Sequence, residues 1–376
     1  MALSCKRGRQ HNRRQDKKIS GITSCFPEKI SASRTVHRIA FVLAGVVSLS
    51  VTQASAETLA VSTWGGSFRD LIDQTIAKKF TEETGVKVEY VTGGTIDRLN
   101  DARLDEGEPS SDVTFTTSHI GWLYADNGLF EKLDFSKIPN AQHLVAQARI
   151  SPYHIGVWAY VYSIAYRPSM IPPGFHFESW NDLWSPKLKG LVSAPDFDPS
   201  HLIAVACKLE GVNIADWTRA TPKLLALLPN FKAFYTNDAN GEQMLSTGES
   251  PVAIMLSMNA YHMKAEGASI EFVIPKEGAV LGVDTIAINK GSRKVDLAYK
   301  FINIALDVLV QTKITEIKKS SPVVEGVVLP EELKSVPGIF TSPQEWLQQT
   351  IIVPDRLRAR DLAEWRAWFA ENMISR

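Results

Sequence analysis

The sequence predicts an α/β protein whose residues from 57 onward divide into two lobes. Three observations carry the prediction. Strand-like and helix-like stretches alternate three times between Leu59 and Leu123, the pattern of a parallel sheet with right-handed crossovers. Roughly 320 residues follow a basic and apolar leader, too many for one ordinary core. The alternation returns late in the chain, between Glu271 and Asp307, where two strands and an amphipathic helix follow one another.

Residues 1–38 hold ten of the 41 Lys and Arg but only two acids, Asp16 and Glu28. An uncharged apolar run, Ile39 to Gln53, then ends at Ala54-Ser55-Ala56. The run is shorter than the ~20 residues a membrane-spanning helix needs, and small residues precede Glu57 as at a cleavage site. Residues 1–56 are therefore expected to be a secretory signal with a long basic region. Arg13-Arg14 lies too far upstream for a twin-arginine signal, and no cysteine stands at the end of the run to take a lipid. Beyond residue 56 there are 31 basic and 39 acidic residues, a balance of −8. Such a protein lacks the basic surface of a nucleic-acid binder. Cys207 is the one cysteine beyond the leader, so it has no internal disulfide partner and is expected to be a buried, inert thiol.

Leu59–Thr63 reads as the first strand, followed by Trp64-Gly65-Gly66-Ser67 and a helix with Phe68, Leu71, Ile72, Ile76 and Phe80 on one face. Val86–Val91 alternates as a strand, Ile96–Leu104 as a helix and Asp112–Thr116 as the third strand, before a helix around Trp122 and Leu123. Ligands of parallel sheets sit beyond the carboxyl ends of the strands. The loops that matter are then Trp64–Ser67, Thr92–Thr95 and Thr116–Ser118, which makes Thr117 and Ser118 candidate contacts. Gly65 and Gly66 allow close approach of the backbone, Ser67 opens a helix whose free N–H groups attract an anion, and Trp64 offers a flat face. The same residues would also serve as a plain turn with Ser67 as the helix cap.

Tyr153–Tyr166 is an aromatic strand region containing Trp158, Tyr160 and Tyr162. Leu- and Ala-rich helices lead to Val252–Asn259, read as an apolar strand whose polar end presents Ser257 or Asn259 to a cleft. Glu271–Ile274 is a strand, Pro275–Gly278 breaks it, and Val283–Ile288 is the next strand. Asp284 opens that apolar strand. A bare buried carboxylate costs several kcal/mol unless a cation or donors meet it, although an acid there can also cap a turn. The last segment, Leu357 to Met373, carries Leu362, Trp365, Trp368 and Phe369 at helical spacing, and its aromatic stripe needs no cofactor to explain it.

Pro275-Lys276-Glu277-Gly278, a short gap and then an acid opening Thr285-Ile286-Ala287-Ile288 resembles the periplasmic spermidine/putrescine-binding proteins of ABC transporters, within family 1 of the extracellular solute-binding proteins. Ser179-Trp-Asn-Asp-Leu-Trp-Ser-Pro-Lys-Leu-Lys-Gly190 is similar to that family's Ser-Trp-x-Asp-Leu-Trp-x-Pro-x-x-Lys-Gly. The resemblance implies a two-lobed periplasmic binding protein fold with a ligand cleft between the lobes. Residues 57–160 and 283–320 would form one lobe, residues 161–282 and the helices of 321–376 the other. It places Trp158 at the hinge and Asp196 across the cleft from Asp284, and it implies a monomer that serves an inner-membrane permease and its ATPase. Where the family carries an aromatic in the 252–259 strand and another before the return acid, this chain has Leu256 and Gly282. An aromatic box for a polyamine is thus incomplete. The resemblance keeps a polyamine as the leading ligand, while the departures point to a zwitterion, its ammonium on Asp284 and Asp196 and its anionic end on the Gly65-Gly66-Ser67 helix start.

A secreted hydrolase is the rival reading. Gly-x-Ser-x-Gly is absent, no His-Glu-x-x-His or similar metal spacing occurs, and His119, His143, His154, His176, His201 and His262 are scattered. The expectation is therefore a binding protein with no catalytic residues, metal or cofactor, working in the periplasm.

Overall fold

The computed structural model describes residues 57–105 and 107–375; the expected signal, residues 1–56, lies outside them. Its strands are β1 (Thr58–Thr63), β2 (Lys87–Thr92), β3 (Val113–Thr117), β4 (His154–Tyr166), β5 (Val192–Pro195), β6 (Phe231–Tyr235), β7 (Val252–Leu256), β8 (Glu271–Val273), β9 (Ala279–Ile288) and β10 (Thr350–Ile351). They join in the order β2-β1-β3-β9-β4-β7-β5-β6, with β10 on β9 and β8 on β4. β1 runs parallel to β2 and β3, and β5 runs parallel to β6 and β7.

Two long strands carry the chain between these parallel groups. β4 and β9 pair antiparallel from His154 opposite Ala287 to Tyr162 opposite Val280. At one end β9 pairs with β3, and at the other β4 pairs with β7. All ten residues of β9 are buried, which is why its sequence is a nearly unbroken apolar run. An acid inside it must find partners.

The ladder is irregular at one place that matters. Gly156 faces Thr285 but Trp158 faces Asp284, so Val157 is an extra residue on β4. Side chains alternate between faces along a strand, and a bulge shifts that alternation by one. Without it Val157 and Ala159 would stand opposite Asp284 and Gly282; with it Trp158 and Tyr160 do.

Helices cover both faces. Ser67–Ile72 continues through a π-helical turn, Asp73–Ala77, into Lys78–Thr84, and buries Leu71, Ile72, Ile76 and Phe80 as the spacing predicts. The expected strand Val252–Asn259 is shorter than read: β7 stops at Leu256, and Ser257–Ala265 is helix. Leu256 turns the chain with no side-chain cap, so nothing in the apolar run marks the boundary. The terminal helix, Asp355–Phe369, packs on both Ser118–Asp126 and Ser200–Glu210. Cys207 lies buried within the latter.

Candidate functional site

The bulge turns Trp158 and Tyr160 onto the face of Asp284. Trp158 Nε1 donates to Asp284 Oδ2 at 2.7 Å, and the Tyr160 hydroxyl donates to Oδ1 at 3.1 Å. Trp158 is itself fully buried, stacked on Phe115 with centroids 5.6 Å apart, so it holds the acid from behind. A Cβ at Gly282 would collide with the Tyr160 ring. The bare backbone at 282 therefore admits an aromatic ring from the neighbouring strand.

Tyr160 and Tyr162 face a cavity of about 340 Å³, which is walled also by Trp64, Thr95, Thr117, His119, Asp198, Asp238, Arg358 and Arg366. That volume suits a small solute. A larger hollow of about 530 Å³ around Ser111 and Asn289 draws its wall only from residues 62–131 and 289–291. The smaller cavity collects residues from both parallel groups and from the terminal helix, and two acids of perturbed pKa, Asp198 and Asp238, line it, so it is the candidate site.

The residues singled out from the sequence are placed unequally. Trp64 lines the cavity, its Nε1 donating to Thr95 Oγ1 at 2.8 Å while the Arg98 guanidinium lies 5.1 Å from its ring centre. Gly65, Gly66 and Ser67 are exposed at the start of their helix and outside the cavity wall; Gly66 adopts φ +58°, and Ser67 Oγ accepts from Lys318 Nζ at 2.6 Å. Thr117 is in the wall. Ser118 is turned from it, donating its hydroxyl to Asp355 Oδ1 at 2.6 Å.

Asp196 lines a separate crevice beside Arg366, because its amide continues the sheet by donating to the Tyr235 carbonyl at 3.0 Å. The acid of that loop which reaches the cavity is Asp198. Asn259, in the first turn of its helix, is buried and stands near the Asp238 carboxyl, whose ionised form it favours. Asp284 stands directly behind Tyr160.

Several site residues were not singled out. Tyr160 sits two positions from Trp158, on the same face by strand alternation, and that spacing was a usable signal. Arg358 precedes Leu362, Trp365 and Phe369 at helical spacing, and a lone cation on an apolar face was the other. Asp238, after a turn at Thr236 and Asn237, carried no signal in its own sequence.

The charges fall into two groups. Burial pushes the Asp284 carboxyl up to about 7, despite its two hydrogen bonds, and burial raises Asp238 to about 6 and Glu242 to about 7. Among the described residues no side chain forms a salt bridge with Asp284 or Asp238. At the other side Arg358 is 4% exposed, and its Nη2 donates to Asp198 Oδ2 and to His201 Nε2. His201 Nδ1 lies 3.1 Å from the Asp198 carbonyl and donates to it, which leaves Nε2 as the acceptor. Burial favours the protonated Asp198 carboxyl, but the Arg358 guanidinium and a Ser200 hydrogen bond outweigh it and hold it well below the usual carboxylate range. Burial, with Arg358 nearby, keeps His119 neutral, and burial lowers His201 to about 4.

Known proteins share this architecture. The sequence pattern of the bacterial extracellular solute-binding proteins matches residues 75–341. Spermidine/putrescine-binding periplasmic protein 1 of Haemophilus influenzae is 28% identical over 304 residues, covering 77% of this chain and 82% of that one. The putrescine-binding periplasmic protein SpuD of Pseudomonas aeruginosa is 25% identical over 363 residues, covering 88% and 96%. The crystal structure of an ABC transporter protein from Clostridium perfringens superposes with a TM-score of 0.70 at 28% identity, covering 84% of this chain and 99% of that one. By this match the chain belongs to the bacterial extracellular solute-binding proteins, the non-catalytic periplasmic components that bind a small solute between two lobes for the permease and ATPase of an ABC transporter.

Proposed function

We propose that the solute bears an amino group and that its ammonium is held at Asp284, Asp238 and Tyr160. One observation supports this above others: Asp238 lines the cavity and Asp284 stands just behind Tyr160 in its wall, both with raised pKa values and, among the described residues, neither with a salt-bridge partner. A carboxyl in that state lacks its partner, and an arriving ammonium would supply it. Tyr160, Tyr162 and Trp64 add aromatic faces on which a cation can rest. The curated relatives are named for putrescine and spermidine, which agrees with an amine ligand. Both a polyamine and a zwitterionic amino compound meet this requirement. The lobe division at residues 57–160 with 283–320, against 161–282 with 321–376, is part of the same proposal.

The test removes the ligand's charge and keeps its shape. Calorimetric titration with primary amines and their N-acetyl counterparts should show binding of the amines and a loss of at least about 100-fold on acetylation, since a charge-assisted bond worth about 1.5–3 kcal/mol disappears and a buried acid is left unpaired. Equal affinity for the two would refute the amino-solute reading.

A further inference from the structure

We infer that the solute also carries a carboxylate, received by Arg358 and Thr117 at a corner of the cavity distinct from Asp238; this rests on the amino-solute reading above. The corner is built by two helices. Thr117 precedes the nine-residue helix Ser118–Asp126 and gives it no side-chain cap. The Ser118–Asp355 hydrogen bond, 2.6 Å, ties the start of that helix to the start of Asp355–Phe369, whose next turn carries Arg358. Both Thr117 and Arg358 then face the same cavity.

Each keeps a buried polar atom without a partner among the described residues: Thr117 Oγ1 and Arg358 Nε. An unmatched buried group costs about 1–3 kcal/mol, so two on one cavity wall mark a missing acceptor. Asp198 and His201 engage only the Nη2 end of the guanidinium. The Nε–H, the threonine hydroxyl and the positive end of the helix are all suited to oxygen acceptors bearing negative charge, and a carboxylate presents two. His119 is neutral and changes nothing in this balance.

Apart from Asp238, the other charges on the lining are Asp97, Asp198, which is paired with Arg358, and Arg366. Arg366, one turn beyond Leu362 on the same helix, adds a second cation to this wall. Arg358 pairs with Asp198, and among the described residues no cation forms a salt bridge with Asp238. A diamine would bring its second ammonium toward the arginines. An amino carboxylate would satisfy both walls, and the anionic end falls here rather than at the exposed Gly65-Gly66-Ser67 helix start, where Lys318 already bonds Ser67.

The discriminating probes are α,ω-diamines and ω-amino carboxylates of four to six carbons, titrated by calorimetry into the purified protein. The amino carboxylates should bind, and diamines of equal length should bind at least about tenfold more weakly. Thr117→Val, nearly isosteric, should lower amino carboxylate affinity about tenfold and leave diamine affinity unchanged. Arg358→Lys keeps the charge but loses the forked donor set, and should act in the same sense. Equal or tighter diamine binding would overturn the inference while leaving the amino-solute reading intact. So would a Thr117→Val variant that weakens both series alike. Binding of neither series would defeat the amino-solute reading and this inference together.

Discussion

Asp284 should announce binding by giving up a proton. At pH 7 a carboxyl raised to about 7 is about half protonated, and Asp238, at about 6, is about one-tenth protonated. An ammonium seated against them favours the ionised forms. Saturation at pH 7 should then expel about half a proton from Asp284 and about a tenth from Asp238. Calorimetry in buffers of different ionisation enthalpy reads the number directly, as the slope of observed heat against buffer heat. Asp284→Asn should cut the slope to the small remainder, and at pH 9 the wild-type slope should vanish because both acids are already ionised. A zero slope at pH 7, or the same slope in wild type and Asp284→Asn, would refute the reasoning. The same shift fixes the sign of the stability profile. The unfolded carboxyl loses its proton near 3.8 and the folded one near 7, so between those values the folded state holds more protons and its stability falls as pH rises, by roughly 4 kcal/mol at most.

Three further outcomes are expected. Gly282→Ala drives a methyl into the Tyr160 ring and should cost about 1–3 kcal/mol in urea denaturation, with a change in ligand affinity; an unaltered midpoint would show that Tyr160 moves freely. Asp198→Asn leaves Arg358 buried without its carboxylate and should destabilise by about 3–5 kcal/mol, so a loss under about 1 kcal/mol would mean that His201 alone suffices. Solution scattering should show a smaller radius of gyration at ligand saturation, since binding at a two-lobed cleft draws the lobes together, and an unchanged radius would count against closure.

The first three strands were legible because β-branched alternation is punctuated by Gly, Asp and Thr, and β1 does pair parallel with β2 and β3. The terminal helix was legible from its aromatic stripe. The end of β7 was not, because Leu256 and Met258 continue an apolar run across the change from strand to helix. Nor could the sequence choose between Asp196 and Asp198. Strand β5 ends at Pro195, the Asp196 amide still follows the sheet, and Asp198 turns in because it bonds the Ser200 amide at the start of the next helix. The bulge at Val157 was likewise invisible: one residue of register decides whether Trp158 or Val157 meets Asp284, and no local motif records that choice.

That one residue links the fold to the site. Asp284 and both of its donors, Trp158 and Tyr160, ride on β4 and β9, the strands that join the two parallel groups, so a hinge motion leaves their mutual bonds nearly unchanged. Asp238 begins a helix that packs on β5 and β7, whereas Thr117 ends β3. In the proposed lobe division those two residues belong to opposite sides of the cleft and separate when it opens. A ligand shifts an open–closed equilibrium only through contacts that differ between the states. Asp284 would therefore contribute to affinity in both states, and the preference for the closed one would come from Asp238 and Thr117. Loss of the Asp284 charge should weaken binding while saturation still compacts the protein; loss of the Thr117 hydroxyl should weaken binding and reduce the compaction reached at saturation. The reverse pattern in scattering at saturating solute would place the hinge elsewhere than β4 and β9.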